Sequence, residues 1–143
     1  MKKLLVSLIL VLTVGIVNAQ NEEDGIRESI QKYLDGSSHN DPVKIVEPFY
    51  EEARMFLYHK DQPIYLLSPA KYAALFEKRE KGTFNGRVGK ILSVDRENDI
   101  AIAKAEIVIT DREMRFIDMF ILKKLDGTWK IISKAATLMP SKE

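Results

Sequence analysis

From residue 86 onward the chain is a series of long runs of strand-forming residues separated only by short polar breaks, and this spacing restricts the fold more than any other feature. The runs lie at about 86–95, 100–110, 114–124 and 128–138. The breaks are Glu97-Asn98-Asp99, Thr110-Asp111-Arg112 and Asp126-Gly127. None is long enough for a crossover, so successive strands must pair antiparallel as a meander. Asp126-Gly127 is the strongest of the three signals, because a two-residue type I′ turn needs positive φ at both positions.

The N-terminal part follows a different period. After the acidic entry Asn21-Glu22-Glu23-Asp24, Ile26, Ile30, Tyr33 and Leu34 recur at i, i+4, i+7 and i+8, the apolar stripe of a helix. Gly36 would end that helix as its C′ residue. Asp41-Pro42 opens a short second helix through Val43, Ile45 and Val46, which Pro48 stops near Glu47. Strand formers return at 53–59 and 64–67, on either side of Lys60-Asp61-Gln62-Pro63. Ser68 as N-cap and Pro69 at N1 start a third helix, expected to bury Tyr72, Leu75 and Phe76 and to close at Lys81-Gly82. Helices, a small hairpin, a helix and a long meander make an α+β chain, with helices packed on one face of a curved antiparallel sheet. No repeat or linker marks a second domain.

Asp118 is the one acidic residue of the apolar run from Met114 to Leu122. Strand parity puts it on one face with Met114, Phe116, Phe120 and Leu122, and puts Arg115, Ile117, Met119 and Ile121 on the other. Both faces are therefore expected to be largely covered. A carboxylate desolvated there without a partner is costly. Either it lines a cavity, as a general base or as the anchor for a polar group, or it pairs with a cross-strand Lys104, Lys134 or Arg87. On the first reading, Asp118→Asn leaves the fold intact. His59, at a strand end, is a second candidate, and Tyr58 beside it belongs to a set of tyrosines suited to a pocket with few polar points.

Other motifs carry less. Ser68-Pro69-Ala70-Lys71 matches the Ser-x-x-Lys of penicillin-recognising enzymes, but its partner motifs are missing and Ser68 reads as a cap. His39, Asp41 and His59 lack metal-ligand spacing, so neither a metal nor a cofactor is expected.

Lys2 and Lys3, the apolar stretch from Leu4 to Val17, and Val17-Asn18-Ala19 have the form of a signal peptide over residues 1–19, cleaved before Gln20. Residues 20–143 would then be one exported domain, periplasmic or secreted. The absence of cysteine excludes a lipoprotein anchor, disulfides and thiolate chemistry. Loss of Lys2 and Lys3 takes the formal charge from +1 to −1, which leaves no basic excess for nucleic acid. No membrane attachment is expected after cleavage. An apolar content of 45% must supply the core that disulfides cannot.

Phe116-x-Asp118, Leu122, Asp126-Gly127-x-Trp129-Lys130-Ile131 and Lys134 together resemble the closing hairpin of the putative lumazine-binding family. That family belongs to the nuclear transport factor 2-like superfamily, with the ketosteroid isomerases and polyketide cyclases. The opening helix at 26–34, Phe49-Tyr50-Glu51-Glu52-Ala53 and the segment 68–76 agree with it. The resemblance implies a cone-shaped fold whose bent sheet wraps the first helix around an apolar cavity. It also implies dimerisation through the exposed sheet face and a cavity-facing acid at Asp118. Where relatives often carry His-Pro-Asp-Ala this chain has Tyr50-Glu51-Glu52-Ala53, so a histidine-dependent step would have to use His59.

Fold does not decide activity. The reading is an exported, non-catalytic homodimer that binds a small apolar or aromatic molecule through Asp118, Phe116, Phe120, His59 and Tyr58. One alternative is a cofactor-independent isomerase, cyclase or dehydratase, with Asp118 as base and His59 or a tyrosine at the oxyanion. The other is a protein-interaction module with a collapsed cavity.

Overall fold

Alternation along the strands sends one row of side chains toward the N-terminal helix and the other row outward. The computed structural model describes the backbone of residues 2–140 and the side chains of residues 20–140. Among these the helices are α1 (Lys2–Ser38), α2 (Pro42–Val46) and α3 (Pro69–Ala74). The strands are β1 (Phe49–His59), β2 (Gln62–Leu67), β3 (Arg87–Glu97), β4 (Ile100–Ile109), β5 (Met114–Leu125) and β6 (Thr128–Leu138). The side chains of the segment read as a signal peptide, residues 1–19, lie outside the described residues. Among the described residues no helix is long and apolar enough to cross a membrane.

All six strands form one curved, unclosed sheet in the order β2-β1-β6-β5-β4-β3. From β3 to β6 it is the antiparallel meander that the short breaks require. Asp126 and Gly127 turn the last hairpin with φ of 48° and 81°, the positive pair of a type I′ turn. The break at 110–112 is a single 3₁₀ turn. The sheet is not wholly antiparallel, because β1 lies parallel to β6. No short loop joins those two strands, so nothing forces them to run in opposite directions.

The core forms where the α1 stripe meets the inner face. Ile26, Ile30, Tyr33 and Leu34 are buried against Ile107, Phe120, Leu122 and Ile131. Each aliphatic side chain sealed in this way contributes roughly 1.5–3 kcal/mol. β4 turns the small residues Ala101, Ala103 and Ala105 inward and leaves Ile100 and Ile102 exposed. Met119 and Ile121 on β5 are each 44% exposed, so the outer face is not covered as expected.

Two local expectations also need correction. α1 does not stop at Gly36 but continues to Ser38, and the left-handed residue beyond it is Asn40, with φ of 53°. Gly36 serves close packing instead: a Cβ there would lie 2.7 Å from the Ile45 backbone nitrogen on α2. α3 ends at Ala74, well short of Lys81-Gly82. Leu75 N donates to Tyr72 O and Phe76 N to Ala73 O, and this tightened last turn carries Leu75 outward while Tyr72 and Phe76 stay buried.

Candidate functional site

Asp118 and Lys134 meet on the inner face of the β5–β6 hairpin. Simple alternation from Trp129 and Ile131 would point Lys134 outward. A bulge corrects this: Leu122 pairs with Ile131 and Ile121 with Ser133, so Ile132 is skipped and the parity flips. Lys134 Nζ then lies 2.8 Å from Asp118 Oδ2, with both side chains only 2% exposed. The two charges therefore form a buried ion pair that compensates each of them. Lys134 Nζ also stands 5.5 Å from the centroid of the Tyr33 ring, within range of a cation–π attraction.

Arg87 approaches the pair from the start of β3. Its backbone is fixed by a polar clamp at the end of α1. Asn85 Nδ2 donates to Ser37 O and Asn40 Oδ1, and Asn85 Oδ1 accepts from Arg87 N at 3.2 Å. Gly86 precedes it with φ of +85°, and a Cβ there would fall 2.0 Å from Asp111 Oδ1. The side chain is less well provided for. Arg87 Nε is sealed from solvent without a hydrogen-bond partner, and among the described residues the guanidinium forms no ion pair. Burial disfavours its charge, but Tyr72, Tyr33 and Asp118 more than offset this and hold it above the ordinary arginine range. Burial, then Tyr72 and Asp118, push the Tyr33 phenol well above its usual value, so Tyr33 stays protonated and cannot serve as a base.

Asp118, Lys134 and Arg87 form the polar wall of a recess of about 310 Å³. Its other wall is aromatic: Tyr58 and Phe116 stand 6.1 Å apart, with Tyr65 beside them. Tyr58 and Leu75, 43% and 56% exposed, mark the open rim. Of the residues singled out in the sequence, Asp118, Phe116 and Tyr58 line the recess. Phe120 lies in the core, edge-on to Tyr33 at 5.8 Å, and does not line it. His59 also lies elsewhere: its Nδ1 accepts from Asp61 N at the β1–β2 turn, and its ring rests near Tyr65. Ser68 Oγ accepts from Lys71 N as a helix cap. Among the described residues no three His, Asp or Glu side chains gather as metal ligands would.

Sequence reasoning included Tyr65 and Tyr72 only in the general set of pocket-suited tyrosines, did not name Arg112, and treated Arg87 only as a possible partner for Asp118. The available signal was the parity of β3, which puts Arg87 on the same face as Ile91. Chemically, the site offers an aromatic wall, a buried carboxylate–ammonium pair, and a guanidinium whose Nε lacks an acceptor.

The family model described as "Putative lumazine-binding" matches residues 21–135, most of the chain. Among solved structures, the fold is similar to that of a nuclear transport factor 2-like protein of unknown function from Shewanella baltica. That match has 22% identity and a TM-score of 0.73, covering 85% of this chain and 96% of the other. A similar protein from Silicibacter pomeroyi gives 19% identity and a TM-score of 0.74, covering 85% and 98%. One from Methylobacillus flagellatus gives 25% and 0.69, covering 84% and 94%. No curated protein matches the chain.

Proposed function

The chain belongs to the putative lumazine-binding family of the nuclear transport factor 2-like superfamily, and from that premise we propose that it is an exported domain holding a small aromatic molecule in the β5–β6 recess. One observation carries the reading. The recess sets an aromatic wall, Tyr58 and Phe116, against a polar floor where the Asp118–Lys134 ion pair is sealed and Arg87 Nε is buried without a hydrogen-bond acceptor. Buried polar groups without partners are rare in a finished structure, and a ligand acceptor is one way to complete this one. A volume of about 310 Å³ is at the lower end of small-molecule sites, so the ligand has one or two rings.

Binding rather than catalysis fits the geometry better. A general base needs an oxygen free to reach a substrate proton. Here the substrate would first have to displace Lys134, which sits 2.8 Å from that oxygen. The interaction-module reading requires a collapsed cavity, and the recess argues against it.

Export rests on the basic, apolar and small-residue order of residues 1–19. Self-association rests on the outer sheet face. There Ile102 pairs with Ile121 across β4 and β5, with Met119, Ile100 and Phe56 nearby, all of them between 41% and 48% exposed. An apolar patch of this kind suits a second copy of the chain.

The test is a ¹H–¹⁵N titration of residues 20–143 with 2-naphthol and 2-naphthoate. Amide shifts should concentrate at Tyr58, Phe116, Asp118 and Ala136. Ala136→Phe, which fills the recess, should abolish them. Shifts confined to the outer face at Met119 and Ile121, or a response unchanged in Ala136→Phe, would place binding elsewhere and sink the reading.

A further inference from the structure

We propose that the recess selects a singly charged anion, an aromatic carboxylate whose head group meets Arg87 and whose ring lies against the wall formed by Tyr58 and Phe116. This rests on the binding reading above and adds the charge of the ligand to it. The charged groups that face the recess are Arg87, Arg112, Lys134 and Asp118. Lys134 and Asp118 offset each other at 2.8 Å. Arg112 is exposed to solvent, so Arg87 is the one guanidinium left at the inner wall without an ion pair, in an exported domain whose formal charge is −1.

Arg87 decides the point. Its Nε is buried without a partner, and Gly86 and Asn85 fix its backbone in place. The side chain as a whole is half-buried, so the surroundings tolerate its charge, but the sealed Nε is left without an acceptor in the empty protein. A carboxylate supplies what is missing, because its two oxygens match the planar fork of arginine.

Beyond Arg87 lies a second recess of about 350 Å³, which shares Tyr72, Leu75 and Arg112 with the first. Arg79 and Asp111 face it. Arg79 is already engaged, its Cζ 5.3 Å from the centroid of Phe76. Asp111 Oδ1 is met by the Thr110 hydroxyl. The one sealed, unpartnered polar atom on the shared wall is therefore Arg87 Nε. A single guanidinium of this kind suits a monoanion better than a doubly charged phosphate.

The experiment compares matched pairs by calorimetry and NMR: benzoate against benzyl alcohol, and 2-naphthoate against 2-naphthalenemethanol. Each carboxylate should bind about tenfold more tightly than its alcohol, the size of one charge-assisted contact. Arg87→Gln should remove that difference, with the amide spectrum of the fold in place. Arg87→Lys should keep part of it. Added salt should weaken the carboxylates only, and this arm decides the matter if Arg87→Gln does not fold. Equal affinity within each pair would overturn the proposed charge selectivity and leave the binding reading standing. Failure of all four molecules to perturb the recess would overturn both.

Discussion

The two ends of the β5–β6 hairpin treat their charges in opposite ways. At the turn end, Lys124 donates to Glu22 Oε1 and Trp129 Nε1 donates to Glu22 Oε2 at 2.9 Å, so a carboxylate, an ammonium and an indole complete one another beside α1. Glu22 and Lys124 there keep 27% and 31% exposure, so water shares the work. At the other end, Asp118 and Lys134 are sealed to 2%, and Arg87 Nε beside them has no partner. The first end is a finished structural joint. The second end lacks an acceptor for Arg87 Nε, which is how a site looks before its ligand arrives.

The strongest way to break that contrast is Asp118→Asn. It keeps the shape of the side chain but leaves the Lys134 ammonium buried without its counter-ion. Loss of one member of a buried pair costs about 3–5 kcal/mol. We expect a loss near the lower bound, seen as a drop in the urea midpoint, because the Tyr33 ring still faces Lys134. The double variant Asp118→Leu with Lys134→Met should recover most of it. A fully stable Asp118→Asn protein would show that Lys134 readily finds water, and the recess would then be wetter than its 2% exposures imply.

That expectation reverses the one the sequence supported, and the reason is a single residue. The meander, its turns and the inward place of Asp118 follow from alternation and loop length, which are local properties. The parallel β1–β6 pairing is not local, and no loop announces it. Lys134 was one of three cations that strand geometry allowed opposite Asp118. Only the bulge at Ile132 turns it inward, and a bulge leaves no mark in an apolar run such as Ile131-Ile132. Arg87 was legible by the parity of β3, but not its isolation, because a missing partner depends on every neighbouring element at once. His59 stood at a strand end, where site residues often lie. Its ring instead accepts from Asp61 N, a turn contact that composition cannot distinguish from a site.

A smaller effect is expected at Arg87. Asp118 loses stability when its pair is broken, whereas Arg87 has no ion pair to lose among the described residues. Arg87→Gln gives up a charge that Tyr72, Tyr33 and Asp118 favour but also removes a sealed Nε without an acceptor, so the two effects oppose each other and the empty protein should keep its stability to within about 1 kcal/mol. Differential scanning calorimetry without ligand would register this as a nearly unchanged Tm. A marked fall in Tm would mean that Arg87 supports the fold through the tyrosines around it, and the two ends of the hairpin would then be alike.

The smallest effect belongs to the finished end. Hydrogen bonds from Lys124 and then Trp129 hold the Glu22 carboxyl below its ordinary value, against a weaker opposing effect of burial. A carboxyl whose folded value is depressed stabilises the protein at pH values above its unfolded value, near 4.5, and loses that contribution as pH falls below it. Glu22→Gln should therefore lower Tm slightly at pH 7, and the gap to the unsubstituted protein should shrink as pH falls from 5 to 3. Because the group is solvent-accessible, salt should narrow the gap at neutral pH as well. A difference that stayed constant with pH would assign the role of Glu22 to packing against Trp129 rather than to its charge.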